Sequence, residues 1–172
     1  MSGSSLDAMF VTPHELGDHI AALAELLQPH SITAVCGPLQ GGAFLAHALA
    51  AYMGVRFYFT RQAPSTGEGL FALQYQLPPE LRRRIANERV AIVDDAISAG
   101  SSVCATDAEL TSAGATTVVV GTILLLGNKA VEHFSGRNIP VVTLAQQEFN
   151  LWQPDDCPLC QTGAPLESLL VV

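Results

Sequence analysis

Two adjacent carboxylates stand near the middle of this chain, between an apolar run and a stretch of small residues. The run from Val90 to Val93 is apolar and mostly β-branched, which predicts a strand buried on both faces of a parallel sheet. Asp94 and Asp95 follow it directly. Beyond Ile97, residues 98–102 are only serine, alanine and glycine, so the backbone can turn tightly and direct successive N–H groups into one concavity. That concavity suits a phosphate, and with the carboxylates beside it the segment predicts a site for a phosphorylated sugar.

The same stretch opens a helix. From Ser101 onward, apolar residues recur among polar ones at Val103, Ala105, Leu110 and Ala113. Free N–H groups and the macrodipole at a helix N-terminus favour an anion, and Ser98, Ser101 and Ser102 add hydroxyl donors. In a plainer interpretation the two acids only end the strand, and Ser101 or Ser102 caps the helix. The joint occurrence of acids, small loop and hydroxyls favours the ligand site, because open α/β sheets bind ligands at the carboxyl ends of their strands.

A second glycine-rich turn precedes this segment. Residues 37–42 have the sequence GPLQGG and join a predicted strand, Ile32 to Cys36, to an alanine- and leucine-rich helix that is expected to end near Gly54. Glycines at a strand-to-helix junction let a bound anion approach the backbone closely. The next predicted strand, residues 55–60, delivers Arg61 at its end. We therefore expect a second anion contact at this turn.

The remaining pattern alternates strands with helices and predicts one α/β domain with a mainly parallel sheet. Thr12 to Glu15 is typical of a capping box that opens an amphipathic helix, which Pro29 ends. Residues 62–76 lose this periodicity, which indicates either a mobile lid over the site or a plain β-hairpin. Further elements are predicted at residues 78–85 (helix), 116–125 (strand), 129–134 (helix) and 139–144 (strand).

Composition limits the class of protein. With 172 residues, 49% of them hydrophobic and 14% charged, the chain can bury one core. Its net charge of −8 and pI near 4.9 argue against a nucleic-acid partner, and its basic cluster, Arg82 to Arg84, is expected on the solvated face of a short helix. No signal peptide and no apolar run approaching about 18 residues is visible, so we expect a cytoplasmic protein without a membrane partner.

Four cysteines fall into two groups. Cys36 and Cys104 are expected to be small core residues of a strand and a helix. Cys157 and Cys160 form a C-P-L-C pair in a proline-rich tail, a spacing that only weakly indicates zinc, redox chemistry or a local disulfide. Because no second pair completes a zinc site and no helix is expected to follow, we favour a structural turn, with a metal shared across a dimer as the alternative.

The segment from Val90 to Ser102 resembles the phosphoribosyl pyrophosphate signature of the type I phosphoribosyltransferases. That signature has four apolar residues, two acids and a short Ser/Thr-Gly-Ser/Thr loop, although Ala96 stands where a larger aliphatic residue is usual. The resemblance covers most of the chain and points to the orotate branch of the family. It is carried there by the GPLQGG turn, Arg61, Leu151 to Pro154, the C-P-L-C pair and Gly163 to Glu167.

The resemblance implies a fold and a reaction. The fold is a single type I phosphoribosyltransferase domain over residues 1–172, with a mainly parallel twisted sheet flanked by helices. Its core spans about residues 12–145, and a small C-terminal hood spans about 146–172. The reaction is Mg²⁺-dependent transfer of ribose 5-phosphate from phosphoribosyl pyrophosphate to a nucleobase, with orotate as the expected base, as in pyrimidine nucleotide synthesis. Because the family commonly forms dimers, we expect a homodimer.

The resemblance also implies a role for each candidate residue. Asp94 and Asp95 are the expected catalytic residues, which hold the ribose hydroxyls and place negative charge near the developing cation. Magnesium is expected near them, bound through the substrate without a direct protein ligand. The 5′-phosphate is assigned to the loop residues Ala96, Ile97, Ser98, Ala99, Gly100, Ser101 and Ser102, and the pyrophosphate to Leu39, Gln40, Gly41 and Arg61.

Two departures from the orotate pattern leave alternatives open. Orotate enzymes typically carry lysines after the arginine that matches Arg61 and on the mobile loop, whereas the only lysine of this chain is Lys129 and its loop has Glu68. They also tend to place an Asp-Arg pair after the strand that is expected to end at Leu125, where leucine and glycine follow here. The alternatives are a non-catalytic regulatory protein that binds phosphoribosyl pyrophosphate or a nucleotide, and a purine-base phosphoribosyltransferase.

Overall fold

The computed structural model describes residues 9–63, 74–148 and 156–163. Six strands are present in these ranges: β1 (Ala34–Pro38), β2 (Arg56–Ala63), β3 (Gln74–Gln76), β4 (Arg89–Ile97), β5 (Thr116–Leu126) and β6 (Val141–Gln147). They form one sheet in the order β3-β2-β1-β4-β5-β6. Neighbouring strands in this sheet pair in parallel, apart from β2 and β3, which are antiparallel. The predicted α/β fold with a mainly parallel sheet is confirmed.

Helices cover both faces of the sheet. They are α1 (Gly17–Leu27), α2 (Gly41–Met53), α3 (Pro79–Arg82), α4 (Ser101–Ser112), α5 (Lys129–Ser135) and α6 (Pro158–Gln161). The buried residues of α1 and α2 pack in one hydrophobic cluster, and those of α4 and α5 pack in the other. Across the ranges that the structure describes, no helix combines the length and apolar character that a membrane span requires.

Strand β4 separates the two clusters. Val90 and Ile92 belong to the cluster of α4 and α5, whereas Ala91 and Val93 belong to the cluster of α1 and α2. All four side chains are fully buried, because successive residues of a strand point to opposite faces and both faces of this sheet are covered. Burying each valine or isoleucine contributes about 1.5–3 kcal/mol relative to leaving it exposed. The apolar run therefore acts as predicted, as a central strand.

The predicted elements are present, with several shifted bounds. Strand β2 runs on to Ala63, because residues 61–63 pair with β3, so the ends of the aperiodic segment 62–76 form an antiparallel hairpin. Residues 64–73, on which the predicted lid depends, lie outside the described residues. The helix predicted at 78–85 is shorter and spans Pro79–Arg82, and the last predicted strand, 139–144, instead spans Val141–Gln147.

The predicted capping box is wrong. A 3₁₀ turn, Pro13–Leu16, precedes α1, and Thr12 makes no side-chain cap hydrogen bond. The Glu15 N–H instead donates to the Thr12 carbonyl at 2.9 Å, so the backbone closes the turn without the hydroxyl. The end of α2 agrees with the prediction: Gly54 follows it at a φ of +69°, a left-handed conformation that glycine adopts readily.

The predicted C-terminal hood falls mostly outside the described residues. Residues 149–155 and 164–172 are not described, so the tail positions 151–154 and 164–167 that carry part of the family resemblance receive no structural account. Within the hood the structure describes α6, which begins directly after Cys157. A short helix therefore follows the first cysteine of the C-P-L-C pair, where a structural turn without a helix was expected.

Candidate active site

The strand order places a ligand site between β1 and β4. From β1 the chain proceeds outward to β2 on one side of the sheet, and from β4 it proceeds to β5 and β6 on the other. The connection after β1 enters α2 on one face, and the connection after β4 enters α4 on the other. Open α/β sheets bind ligands at the carboxyl ends of strands at such a switch point. The fold therefore brings the two predicted loops to one crevice.

Strand β4 extends beyond its predicted end. The prediction that the carboxylates follow the strand is wrong, because β4 includes Asp94 and Asp95 and ends at Ile97. Pairing with β5 continues as far as Ile97 and Leu125. The Thr122 hydroxyl also donates to the Asp95 carbonyl at 3.1 Å. The strand pairing and the Thr122 bond order the carboxyl end of β4, so both acids project from a strand rather than from a loop.

Both carboxylates contact the first turn of α2. A Cβ atom at Gly41 would lie 2.5 Å from Asp95 Oδ1, and a Cβ atom at Gly42 would lie 2.6 Å from Asp94 Oδ1. Side-chain carbons do not approach oxygen atoms so closely, so these two positions accommodate glycine without rearrangement. The backbone N–H of Gly42 also favours the ionised form of the Asp94 carboxylate. The turn after β1 and the acids of β4 thus form one site.

The environment of Asp94 disfavours its ionised form. Burial first, and then the neighbouring negative charge and hydrogen bond of Asp95, raise the pKa of Asp94 to about 8. The backbone N–H groups of Asp95, at 3.2 Å from Asp94 Oδ1, and of Gly42 oppose this shift. Ionisation of the Asp94 carboxyl is therefore disfavoured in the substrate-free protein. A ligand that donates hydrogen bonds or carries positive charge would favour its ionisation.

The predicted 5′-phosphate loop is shorter than the segment assigned to it. Ala96 and Ile97 belong to β4, and the Ile97 side chain is 2% exposed in the core, which leaves Ser98 to Gly100 as the connection to α4. Gly100 adopts a φ of +80°, and a Cβ atom on it would lie 3.1 Å from Ala130 Cβ. Glycine therefore satisfies both the turn and its packing against α5.

The first turn of α4 completes the 5′-phosphate loop. Gly100 is the N-cap residue, and neither Ser101 nor Ser102 makes a side-chain cap hydrogen bond, so the plainer interpretation of these serines as caps is wrong. Both are half-buried, as is Ser98. The helix has twelve residues, and its first N–H groups have no helical acceptor. This arrangement of N–H groups and hydroxyls can hold an anion.

The residues assigned to the pyrophosphate meet at the same edge of the sheet. Leu39 and Gln40 are exposed in the turn between β1 and α2, and the peptide bond between them is cis. The Leu39 N–H donates to the Thr60 carbonyl at 2.7 Å, which ties this turn to β2. Arg61 is the next residue of β2 and is exposed. Because Pro38 at the end of β1 pairs with Thr60, Arg61 lies beside the start of the turn that contains Gly41.

Sequence reasoning missed the contacts that three residues of this region make. Gly42 was visible within the GPLQGG turn, but its contact with a carboxylate depends on the adjacency of β1 and β4. Thr122 lies inside a strand-forming run, which carries no signal for its bond to the end of β4. Tyr75 donates from its hydroxyl to Ser102 Oγ at 3.4 Å, a contact that links β3 to the phosphate loop.

The cysteines take no part in this site. Cys36 is buried in β1, as predicted, and Cys104 is half-buried on α4. Burial raises the pKa of both thiols. The hydrogen bond from Cys157 raises the pKa of the Cys160 thiol, which argues against a reactive low-pKa pair. Among the described residues, no group of three or more His, Cys, Asp and Glu side chains could hold a metal ion.

Comparison with known proteins agrees with this geometry. The phosphoribosyl transferase domain family matches residues 11–156. Orotate phosphoribosyltransferase from Thermotoga maritima is 31% identical over 157 residues, which cover 89% of this chain and 75% of that protein.

Solved structures show the same fold. The orotate phosphoribosyltransferase structure from Aeropyrum pernix matches with a TM-score of 0.67 at 22% identity, over 83% of this chain and 77% of that one. The adenine phosphoribosyltransferase structure from Rhodothermus marinus matches with a TM-score of 0.61 at 25% identity, over 80% and 82%. The domain match and the Thermotoga maritima relative together show that this chain belongs to the type I phosphoribosyltransferases, pentosyltransferases that bind phosphoribosyl pyrophosphate and a nucleobase.

Proposed function

We propose that this protein is a Mg²⁺-dependent orotate phosphoribosyltransferase, which transfers ribose 5-phosphate from phosphoribosyl pyrophosphate to orotate. The observation that carries the transfer is the contact of Asp94 and Asp95 with the first turn of α2, beside the loop from Ser98 to Gly100. The base is proposed from the Thermotoga maritima relative, whose name is orotate phosphoribosyltransferase. Use of orotate would place the protein in pyrimidine nucleotide synthesis.

The proposed reaction is a displacement at C1 of the ribose. A ring nitrogen of orotate supplies the electron pair of the new C–N bond and releases its proton. The C1–O bond breaks, its electron pair leaves with pyrophosphate, and the configuration at C1 inverts. Positive charge develops on the ribose ring during this step. Catalysis therefore requires negative charge near the ring, a fixed ribose and a stabilised leaving group.

Asp94 and Asp95 supply the negative charge in this proposal. Both are half-buried, and partial exclusion of water strengthens their electrostatic effect relative to that of exposed carboxylates. Their oxygens would accept hydrogen bonds from the 2′- and 3′-hydroxyls of the ribose. Because such donors favour the ionised form of Asp94, whose pKa is about 8 in the free protein, substrate binding and ionisation of Asp94 would accompany each other.

The two loops fix the ends of the substrate. The first N–H groups of α4 and the serines of its loop would hold the 5′-phosphate, which positions C1 relative to the carboxylates. The turn from Leu39 to Gly41 would bind the pyrophosphate through its backbone, with Arg61 as the cationic partner. Arg61 is exposed, so its guanidinium is accessible to a ligand at this edge of the sheet.

In this proposal the substrate, rather than a set of protein side chains, supplies most of the magnesium ligands. Mg²⁺ takes most of its ligands from substrate phosphates and water, so it would enter this site with phosphoribosyl pyrophosphate. Asp94 and Asp95 would lie near the bound cation, whose positive charge would offset the repulsion between these two acids. When bound, magnesium would neutralise charge on the departing pyrophosphate.

Two observations favour alternatives within the family. The adenine phosphoribosyltransferase structure from Rhodothermus marinus shares this fold at 25% identity, which keeps a purine base as the second candidate. The low lysine content favours a regulatory protein that binds phosphoribosyl pyrophosphate without turnover. Lys129 is the only lysine, and Arg82, which could replace a missing cation, is already paired with Glu109.

Pyrophosphate release separates these candidates. The protein is supplied with phosphoribosyl pyrophosphate and Mg²⁺, and orotate, uracil, adenine, guanine and hypoxanthine are offered separately. Turnover with orotate alone supports the proposal. Turnover with adenine, guanine or hypoxanthine would mean that the substrate is a purine base instead of orotate. Tight binding of phosphoribosyl pyrophosphate without turnover on any base favours the regulatory protein. Asp95→Asn serves as the inactive control and Asp18→Asn, on the exposed side of α1, as the active one.

The proposal includes a cytoplasmic homodimer. The side chains of Phe44 and Tyr52 on α2 are 56% and 62% exposed, and a second copy of the chain would cover such apolar surface. Sedimentation velocity at micromolar concentration measures the mass of the particle. A species of twice the 18.2 kDa chain mass supports the homodimer, and a species of the chain mass contradicts it.

A further inference from the structure

Helix α4, which follows the phosphate loop, makes three hydrogen bonds to β2, to β3 and to the residue after β3. Thr60 of β2 and Thr106 of α4 share a buried hydroxyl contact of 2.8 Å. The Leu77 N–H, directly after β3, donates to Glu109 of α4 at 3.1 Å. The third contact lies nearest the site: the Tyr75 hydroxyl is 3.4 Å from Ser102 Oγ in the first turn of α4.

Thr60 and Leu77 are buried residues, whereas the Tyr75 contact lies beside open space. A cavity of about 260 Å³ lies between β3 and α4, lined by Gln74, Tyr75, Gln76, Ala105, Ala108, Glu109 and Ser112. The Tyr75 ring is half-buried at its border. Loss of the tyrosine hydroxyl would therefore remove a hydrogen bond without opening a void in the hydrophobic core.

The Tyr75 contact has a direction that matters for an anion. A serine hydroxyl has one donor and two acceptor positions. When Tyr75 donates to Ser102 Oγ, an acceptor position of the serine is occupied and its own hydrogen remains available to point toward the loop. A phosphate accepts hydrogen bonds and requires that hydrogen.

We propose that Tyr75 is a positioning residue for the 5′-phosphate, which acts by orienting the Ser102 hydroxyl as a donor. This inference rests on the phosphate role of the loop within the proposed function, and it is independent of the base. It assigns to the β2–β3 hairpin a role in ribose 5-phosphate binding. Tyr75 itself does not touch the substrate in this proposal.

Tyr75→Phe tests the proposal by calorimetric binding of ribose 5-phosphate and of pyrophosphate, each measured separately. The variant should bind ribose 5-phosphate about three- to tenfold more weakly, which is the effect of one hydrogen bond, and pyrophosphate unchanged. With an active base, the KM for phosphoribosyl pyrophosphate should rise by the same factor while kcat stays within about twofold. Equal affinity of wild type and variant for ribose 5-phosphate would overturn the inference.

Two further variants distinguish positioning from a structural effect. Tyr58→Phe removes another tyrosine hydroxyl bond, which Tyr58 makes to the Arg84 carbonyl at 3.1 Å, and should leave ribose 5-phosphate affinity unchanged. In a Ser102→Ala background, Tyr75→Phe should have no further effect, because the hydroxyl that it orients is gone. Additive losses in the double variant would overturn the relay through Ser102.

The binding measurement also separates this inference from the proposed function. Ribose 5-phosphate binding needs no base, so a wild-type protein that binds it but releases no pyrophosphate contradicts the proposed turnover and leaves the Tyr75 inference open to the same test. A wild-type protein that fails to bind ribose 5-phosphate overturns the phosphate role of the loop and the inference together.

Discussion

The carboxylate of Asp95 lies against the bare α-carbon of Gly41, where a Cβ atom would come within 2.5 Å of Oδ1. Gly41 is the first residue of α2, which follows β1, whereas Asp95 lies near the end of β4. Their contact means that the pyrophosphate turn and the catalytic carboxylates of the proposed site cannot move independently. A change at either residue should therefore disturb both parts.

Gly41→Ala should lower kcat/KM by about 100-fold or more, because its methyl group must displace the Asp95 carboxylate from its position. Steady-state pyrophosphate release checks this expectation. Gly17→Ala is the matched control, since Gly17 lies at the start of α1 with no heavy atom within 4 Å of its Cβ position. That control should keep full activity and change stability by no more than about 1 kcal/mol. Full activity of Gly41→Ala would contradict the close contact.

Asp94→Asn and Asp95→Asn should each lower kcat by about 100-fold or more while leaving the protein folded. The carboxamide keeps the shape of the side chain but removes the negative charge that the developing cation requires. Turnover and thermal unfolding are measured on the same preparations. Asp18→Asn, on the exposed side of α1, should match the wild type in both assays. If either active-site variant lost stability in proportion to its activity, the acids would be structural rather than catalytic.

Periodicity in the sequence was sufficient for the central strand. A strand covered on both faces needs a continuous apolar run, and Val90 to Val93 supplies one. The end of that strand was not predictable, because it depends on pairing with β5 and on the Thr122 hydroxyl, which belong to a distant part of the chain. A local residue pattern indicates the secondary structure that a segment favours by itself, whereas the end of a strand also depends on its pairing with neighbouring strands.

The two loops of the candidate site were predictable from the sequence, but the contacts between its residues were not. Small residues and acids marked the two loops, because those residue types are required locally for a tight turn and for charge. The contacts of Gly41 with Asp95 and of Tyr75 with Ser102 arise only once the strand order is known. The capping box at Thr12 failed for a related reason, since a 3₁₀ turn satisfied the same N–H through the backbone.

The raised pKa of Asp94 predicts a pH-dependent stability of the substrate-free protein. The pKa is about 8 in the folded state and 3.8 in an unperturbed chain, so between these values the folded state binds more protons than the unfolded state. The stabilisation that this carboxyl contributes is thus present below about pH 4 and is lost as pH rises through 8. Asp94→Asn removes this dependence.

Urea unfolding of wild type and Asp94→Asn at pH 5 and pH 8 measures the effect. The free energy of unfolding of the variant, relative to wild type, should increase by about 2 kcal/mol between the two pH values, less than the full shift because Asp94 is only half-buried. Asp18→Asn, at an exposed carboxyl, should show no such increase. Parallel pH dependence of Asp94→Asn and wild type would contradict the assigned environment of Asp94.

Arg137 holds the buried carboxylate of Asp107 on α4, and its removal should destabilise the protein. The Asp107 side chain is 4% exposed, and its Oδ1 has no hydrogen-bond partner among the described residues, so the ion pair through Oδ2 is its main compensation. Arg137→Ala should lower the free energy of unfolding by about 2 kcal/mol, somewhat less than a fully buried pair because Arg137 itself is half-exposed. Arg83→Ala, which breaks the exposed pair with Glu80, should cost less than about 0.5 kcal/mol.

Urea unfolding compares the two variants. Adding Asp107→Asn to Arg137→Ala should recover part of the loss, because it removes the uncompensated charge. Equal costs for the two arginines would mean that Asp107 is solvated despite its burial.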